Sequence, residues 1–208
     1  NINGIPLIES QIRKLALMNI KKIFISINYL GEVIKKHLGN GKKYNVQIKY
    51  IKESKKLGTA GPLSILDLNK MSIDEPILVI NGDVFTDHNF GHLYDYHFDN
   101  NSKFTICAKD YNISIPFGVI KIVKNKLVKI EEKPSEKYLC NAGIYALNKS
   151  IIREIPKNTF FDMNQLIEKC ILKEIDIKVY PLHEYWKEIG NIADLKIVKK
   201  YFKKHKII

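Results

Sequence analysis

Apolar and polar positions alternate along this chain in two rhythms. Leu7, Ile8, Ile12, Leu15, Ala16 and Met18 recur three to four residues apart, which predicts an amphipathic helix over 7–18 that stops at Asn19. Residues 22–28 read as a strand, 32–38 as a helix closed by Gly39-Asn40-Gly41, and 46–51 as a second strand. A strand-helix-strand succession of this length implies parallel pairing with a right-handed crossover. Further helices are expected near 63–70, over 91–99, from the Phe160-Phe161-Asp162-Met163 segment to about Lys173, and over 193–204. Strands are expected at 104–108, from 116 to 122, at 127–130, at 140–147 and at 177–181, so the chain reads as α/β.

The run Pro76 to Ile80 is apolar throughout and ends at Asn81-Gly82-Asp83. It predicts a strand buried on both faces at the centre of a parallel sheet, with Asp83 just past its carboxyl end. Open α/β sheets bind ligands at that edge, and Gly82 lets a bulky, charged ligand approach the backbone. A turn-forming role for Asp83 stays open on spacing alone. The stretch Leu57-Gly58-Thr59-Ala60-Gly61 lies between a predicted strand and a predicted helix, where backbone N–H groups are available to an anion. An ordinary turn explains the same residues. His92 and His97 lack metal-ligand spacing with a third partner, so packing or surface roles are expected for them.

At 208 residues with 45% hydrophobic content, the chain is long enough for one full core, and no repeat or linker divides it; one domain over 1–208 is expected. There is no signal-peptide pattern and no apolar run of about 18 residues, so a cytoplasmic protein without a membrane partner is expected. Cys107, Cys140 and Cys170 include no CxxC pair, which argues for small buried hydrophobes over a disulfide framework or zinc site. The net charge of +12 is spread along the chain, with its one dense run at Lys199 to Lys206. No nucleic-acid-binding motif accompanies it; a solvated helix face is expected and a nucleic-acid partner is not. The chain begins at Asn1 and runs directly into Gly4-Ile5-Pro6-Leu7, which reads as a segment of something longer.

Six short motifs occur in one order: Leu57-Gly58-Thr59-Ala60-Gly61, Asn81-Gly82-Asp83, Pro116-Phe117-Gly118-Val119, Glu131-Glu132-Lys133-Pro134, Asn141-Ala142-Gly143-Ile144-Tyr145 and Trp186-Lys187-Glu188-Ile189-Gly190. Their succession across residues 4–195 resembles the sugar-phosphate nucleotidyltransferases, which join a sugar 1-phosphate to a nucleoside triphosphate and release pyrophosphate. Phe160 to Met163 and His183 to Trp186 look most like an amino-sugar-1-phosphate guanylyltransferase branch often fused to CBS domains. The resemblance implies a GT-A-like, Rossmann-like fold: a mixed, mainly parallel sheet flanked by helices. It also implies a role in surface-glycan synthesis, with a homo-oligomer and fused upstream CBS domains as the assemblies it allows.

Residue by residue, the resemblance makes Asp83 and Glu188 the Mg²⁺ ligands and Lys133 the group that meets the sugar phosphate, which together form the catalytic set. Glu188 stands where the family has Asp, and its extra methylene moves the ligating oxygen. Glu132 matches the acid that accepts from sugar hydroxyls, Gly118 and Gly143 match backbone lining the sugar pocket, and Trp186 matches its floor. Glu53 matches the base-reading position, and a carboxylate accepting from two N–H donors suits guanine, so GTP is the expected nucleotide, with glucosamine 1-phosphate as the expected sugar. Gly58, Thr59, Gly82 and Asn141 complete the substrate-binding set. The family's first strand, its Gly-rich loop with an essential Arg, and its Lys-Pro pair have no match here. The 208 residues alone are therefore expected to be inactive. Two alternatives remain open at this point: a catalytically inactive partner-binding module of the same fold, and a glycosyltransferase, for which the DxD-like acid spacing is missing at Asp83 to Asp87.

Overall fold

A computed structural model describes residue 2 and residues 4–70 and 75–205. Helix α1 (Leu7–Leu17) turns its Ile12 and Leu15 inward, as the spacing predicts. Strand β1 (Lys22–Ile27), helix α2 (Gly31–Leu38) and strand β2 (Gln47–Lys52) form the expected crossover unit, with β1 and β2 parallel from Lys22↔Gln47 to Ile27↔Lys52. Ile12, Ile25, Ile27, Leu38 and Ile48 close a core between them. Asn3, in the segment matched to the family's start, and Lys206, at the end of the basic run, lie outside the described residues.

Strand β3 (Ile77–Ile80) is followed by the short β4 (Val84–Thr86), helix α3 (Phe90–Asp99) and the long β5 (Phe104–Ser114). A hairpin of β6 (Gly118–Val123) and β7 (Lys126–Glu132) leads to β8 (Ser135–Leu147) and helix α4 (Lys149–Ile152). Helix α5 (Met163–Leu172), β9 (Ile177–Leu182), β10 (Trp186–Glu188) and α6 (Ile192–His205) complete the chain. The main sheet has the order β3-β8-β5-β9, and β4 pairs with β10. Alternation in β8 sends Tyr145 and Leu147 into a core with Phe104, Ile151 and Leu166, and Ala142, Ile144 and Ala146 into one with Leu15, Phe90 and Leu93. In α6, Val198 and Phe202 face inward, and Lys200, Lys203 and Lys204 are exposed, so the basic run is a solvated face as expected.

The mixed α/β sheet flanked by helices is present, with a smaller parallel share than the strand-helix rhythm suggests. Parallel pairing is confined to β1–β2 and β5–β9, while β3–β8, β5–β8, β4–β10 and β6–β7 are antiparallel. The cause is the β6–β7 hairpin, which carries the chain out along β5 and back along β8, forcing β8 to oppose its neighbours. The strand buried on both faces is thus β8, whose residues 142–147 are all buried, whereas β3 is half-buried and pairs only with β8 among the described residues. The helix expected near 63–70 is two separate 3-10 turns, Gly61–Ile65 and Leu68–Lys70. Ser64 donates its hydroxyl to the Gly61 carbonyl at 2.7 Å and Leu66 takes an extended conformation, which ends the first turn. No helix among the described residues is long and apolar enough to cross a membrane.

Candidate functional site

The site builds up where β3 ends. Directly beside that end, β8 is irregular: Ile106 pairs with Tyr145 and Ala108 with Asn141, leaving residues 142–144 of β8 opposite Cys107 alone. Gly143 carries the bulge at φ +68, and a Cβ there would lie 2.7 Å from Asn81 Nδ2. The Asn81 N–H donates to the Gly143 carbonyl at 2.9 Å, and the Gly143 N–H donates to Asn141 Oδ1 at 3.0 Å. The two predicted motifs around Asn81 and Asn141 therefore interlock through backbone that only glycine permits.

β10 closes the other side. Glu188 pairs with Val84, and on the next rung the Ile189 N–H donates to the Asp83 carbonyl at 2.9 Å. Asp83 and Glu188 therefore stand on successive rungs of one ladder, both exposed, and neither side chain makes an ion pair or hydrogen bond among the described residues. Trp186 donates Nε1–H to the Ala142 carbonyl at 2.8 Å, tying β10 to the bulge, and Lys187 holds Asp194 of α6 at 2.7 Å. A Cβ on Gly82 would meet nothing within 4 Å, so the turn is open toward solvent. Each is the type of oxygen ligand that a hard divalent cation takes alongside water or phosphate oxygens. No group of three or more His, Cys, Asp or Glu side chains with metal-holding geometry exists among the described residues.

Sequence reasoning missed the residue that holds this turn from below. Gln11 of α1 donates Nε2–H to the carbonyls of Val84 at 2.7 Å and Asn81 at 3.2 Å, bracketing Gly82 and Asp83. A signal was present, since Gln11 occupies a helical position between Ile8, Ile12 and Leu15, where an apolar side chain would otherwise fit. One turn further on, Lys14 donates to the Thr86 carbonyl at 2.7 Å. Burial pulls the Lys14 ammonium down to about 8 against the opposing pull of Asp87 and Glu184. His88, fully buried and hydrogen-bonded at Nδ1 to Glu184 at 3.1 Å, is likewise pushed down by burial.

The loop at 57–61 has different work. Gly58 sits at φ +77, where a Cβ would fall 2.7 Å from Asp162 Oδ1 and 2.8 Å from the Phe161 carbonyl. The N–H groups of Ala60 and Gly61 donate to the Phe161 carbonyl at 3.0 and 2.9 Å, and that of Thr59 to Asp162 Oδ1 at 2.9 Å. Thr59 Oγ1 accepts from the Met163 N–H at 2.8 Å. Three of the loop's N–H donors, those of Thr59, Ala60 and Gly61, are thus committed to the segment leading α5. Glu53 accepts from Ser26 Oγ at 2.6 Å and from the Leu57 N–H at 3.0 Å, one on each oxygen, so it shapes the same loop.

The remaining residues lie at the base of the β6–β7 hairpin. Gly118 pairs with Glu132, and a Cβ on Gly118 would meet Glu132 Oε2 at 3.0 Å. Lys133 follows at φ +47 with its N–H on the Phe117 carbonyl at 3.2 Å, and both Glu132 and Lys133 are exposed. The structure therefore gathers Gly82, Asp83, Asn141, Gly143, Trp186 and Glu188 at one sheet edge, with Glu53, Gly58 and Thr59 on a braced loop and Gly118, Glu132 and Lys133 on an arm.

Comparison with known proteins follows the same lines. A family model described as Nucleotidyl transferase matches residues 1–204. A mannose-1-phosphate guanyltransferase from Yarrowia lipolytica is 34% identical over 201 residues, covering 91% of this chain and 53% of the relative. One from Debaryomyces hansenii is 32% identical over 202 residues, covering 91% of this chain and 54% of its own length. The chain thus spans about half the length of these curated relatives. Among solved structures, HddC from Yersinia pseudotuberculosis superposes with a TM-score of 0.71 at 22% identity, covering 97% of this chain and 88% of that one, a likeness of fold. The same protein has also been solved in complex with GMP-PN.

Proposed function

This chain belongs to the nucleotidyl transferase family, and on that premise we propose that it carries the machinery to transfer a guanylyl group from GTP to a sugar 1-phosphate. The sugar phosphate oxygen attacks the α-phosphorus, the bond from that phosphorus to the bridging oxygen breaks, and pyrophosphate leaves with the bond's electrons. Mannose 1-phosphate is the sugar named by the guanyltransferase relatives, and glucosamine 1-phosphate is the competing candidate. Supply of the GDP-sugar to surface-glycan synthesis belongs to the same proposal.

The observation that carries this is that Asp83 and Glu188 both stand at the end of the β4–β10 ladder, exposed and, among the described residues, without an ion pair or hydrogen bond from either side chain. Mg²⁺ bound there would neutralise charge on the triphosphate and hold it for in-line displacement. Lys133 and Glu132, on the arm, take the sugar phosphate and a sugar hydroxyl, while Trp186 and the backbone at Gly118 and Gly143 shape the sugar pocket. Glu53 keeps lone pairs beyond those used by Ser26 and Leu57, enough to accept from a guanine edge.

The 208 residues by themselves are proposed not to turn over. β1 and β3 each pair on one side only among the described residues, and the N–H groups at 59–61 are already taken by Phe161 and Asp162. The test is Mg²⁺-dependent pyrophosphate release from GTP with each sugar 1-phosphate, by this chain and by a version extended at its amino end. Turnover is expected only in the extended protein and is expected to vanish in its Asp83→Asn variant. Normal turnover by the 208 residues would overturn the second claim. Nucleotide binding without turnover in both would favour an inactive partner-binding module, which Glu188 in place of the family's Asp supports.

A further inference from the structure

One turn in the chain takes a conformation that its residues disfavour. The Gly31 N–H donates to the Asn28 carbonyl at 3.2 Å, which closes a turn at the carboxyl end of β1. Its third residue, Leu30, stands at φ 64 and ψ 10, the left-handed geometry that a type II turn requires there and that glycine or asparagine ordinarily supplies. The other non-glycine residues at positive φ among the described residues are Asn, Lys and Glu, so Leu30 is the one apolar side chain held this way. Burial does not offset the strain, because Leu30 is 59% exposed. Tyr29 before it is 87% exposed, while Gly31 after it packs so closely that a Cβ would lie 3.0 Å from Ile27 Cδ1. The turn is thus fixed from beneath and presents an aromatic and an aliphatic side chain outward.

Its neighbour gives the ligand class. Ile27 pairs with Lys52 on the last rung of β1 and β2, and the Glu53 N–H donates to the Ile27 carbonyl at 3.0 Å. Glu53 and the turn therefore leave the parallel pair side by side, at the carboxyl edge where open α/β sheets receive ligands. The Glu53 carboxylate is held by Ser26 on one oxygen and by the Leu57 N–H on the other. An exposed aromatic ring beside a fixed carboxylate suits a planar ring with N–H donors on one edge, and the exposed Lys52, Lys55 and Lys56 around Glu53 suit an anionic tail on it. We propose, on the premise of guanylyl transfer, that Tyr29 and Leu30 form the platform on which the guanine ring of GTP stacks, with its N–H edge turned to Glu53.

The platform and the carboxylate divide the work. Tyr29 offers a rigid ring with only two side-chain torsions to fix, and Leu30 extends the apolar surface beside it. Every base has a π-face, so stacking supplies affinity and accepts adenine as readily as guanine. Discrimination falls to Glu53, because adenine places an acceptor nitrogen where guanine carries its ring N–H, and that nitrogen would face the carboxylate. Leucine at a glycine position then has a physical reason: glycine would relieve the backbone and leave the base without that apolar contact.

Stability and binding are expected to move in different directions. In the 208 residues, Leu30→Gly should unfold at or above the midpoint of the parent chain, since relief of the left-handed strain opposes the entropy that glycine adds to the unfolded state, and Tyr29→Ala should leave the midpoint unchanged. In the protein extended at its amino end, calorimetric titration with GTP and no sugar phosphate should show affinity lowered roughly tenfold by Tyr29→Ala, less by Leu30→Gly and not at all by Tyr29→Phe. ATP should bind more weakly than GTP and lose by the same factor in Tyr29→Ala, while Glu53→Gln should narrow the gap between the two nucleotides. GTP affinity unchanged in Tyr29→Ala would overturn the platform and leave guanylyl transfer standing, which pyrophosphate release reads separately. No GTP binding by the unaltered extended protein would overturn both. A lowered midpoint in Leu30→Gly would make Leu30 a support of the fold and overturn its assignment to the ligand.

Discussion

Replacing Gln11 by leucine removes both hydrogen bonds that clamp the Asp83 turn and leaves the rest of α1 intact. The bond to the Val84 carbonyl, at 2.7 Å, is the stronger; the Asn81 carbonyl at 3.2 Å also accepts from the Val84 N–H at 3.3 Å and keeps one partner. A net contribution of about 1 kcal/mol per bond gives about 2 kcal/mol, and the carbonyl of buried Val84 left without its donor offsets what leucine recovers by joining Ile12 and Leu15. For a chain of this size, that lowers the unfolding midpoint by about 4–8 °C. Urea unfolding is the assay, with an unchanged m-value as the check that only stability has moved. Gln11→Glu separates hydrogen bonding from packing: a carboxylate keeps the shape but faces two carbonyls without a donor, so it should cost more than leucine at neutral pH and less in acid, where its protonated form donates. If Gln11→Leu unfolds within about 0.5 kcal/mol of the parent chain, the clamp is not a stabilising element and the argument fails.

Gly143→Ala should destabilise by about 2–3 kcal/mol, combining left-handed backbone strain with the 2.7 Å approach to Asn81; adding Asn81→Ala should restore the steric part alone, measured as a double-mutant cycle. Lys14 is held at about 8 in the fold against an ordinary 10.5, so between those values the unfolded chain binds the extra proton and stability rises with pH. The gap corresponds to at most about 3 kcal/mol, and Lys14→Met should remove that rise in denaturation curves taken from pH 8 to 10. Burial, with the Glu184 charge, pushes the Cys107 thiol up to about 12, and burial also raises Cys170. Mass spectrometry after brief iodoacetamide treatment should therefore find label on the half-buried Cys140 first, and equal labelling of all three cysteines would contradict the packing.

Local order along the chain was enough to place α1, β1, α2, β2, α3, α5 and α6, because helix and strand periods are properties of neighbouring residues. It also puts Asp83 just past a strand end, and the succession of six motifs carries the family resemblance without any tertiary information. The sequence did not show which strand is central, since that depends on the return path of the β6–β7 hairpin and on partners far along the chain. The rung joining Asp83 to Ile189 and the clamp from Gln11 bridge 106 and 70 or more positions, respectively, and no local rhythm records such pairings. The loop at Gly58 shows the same division: its residue types left an anion-binding turn and an ordinary turn equally open, and only tertiary packing shows the N–H groups of Thr59, Ala60 and Gly61 bonded to Phe161 and Asp162. Residue types and their order thus determined which chemistry this chain can carry. Folding decided which of those groups stand free at one sheet edge, because only long-range pairing satisfies some polar groups and leaves the side chains of Asp83 and Glu188 without a partner among the described residues.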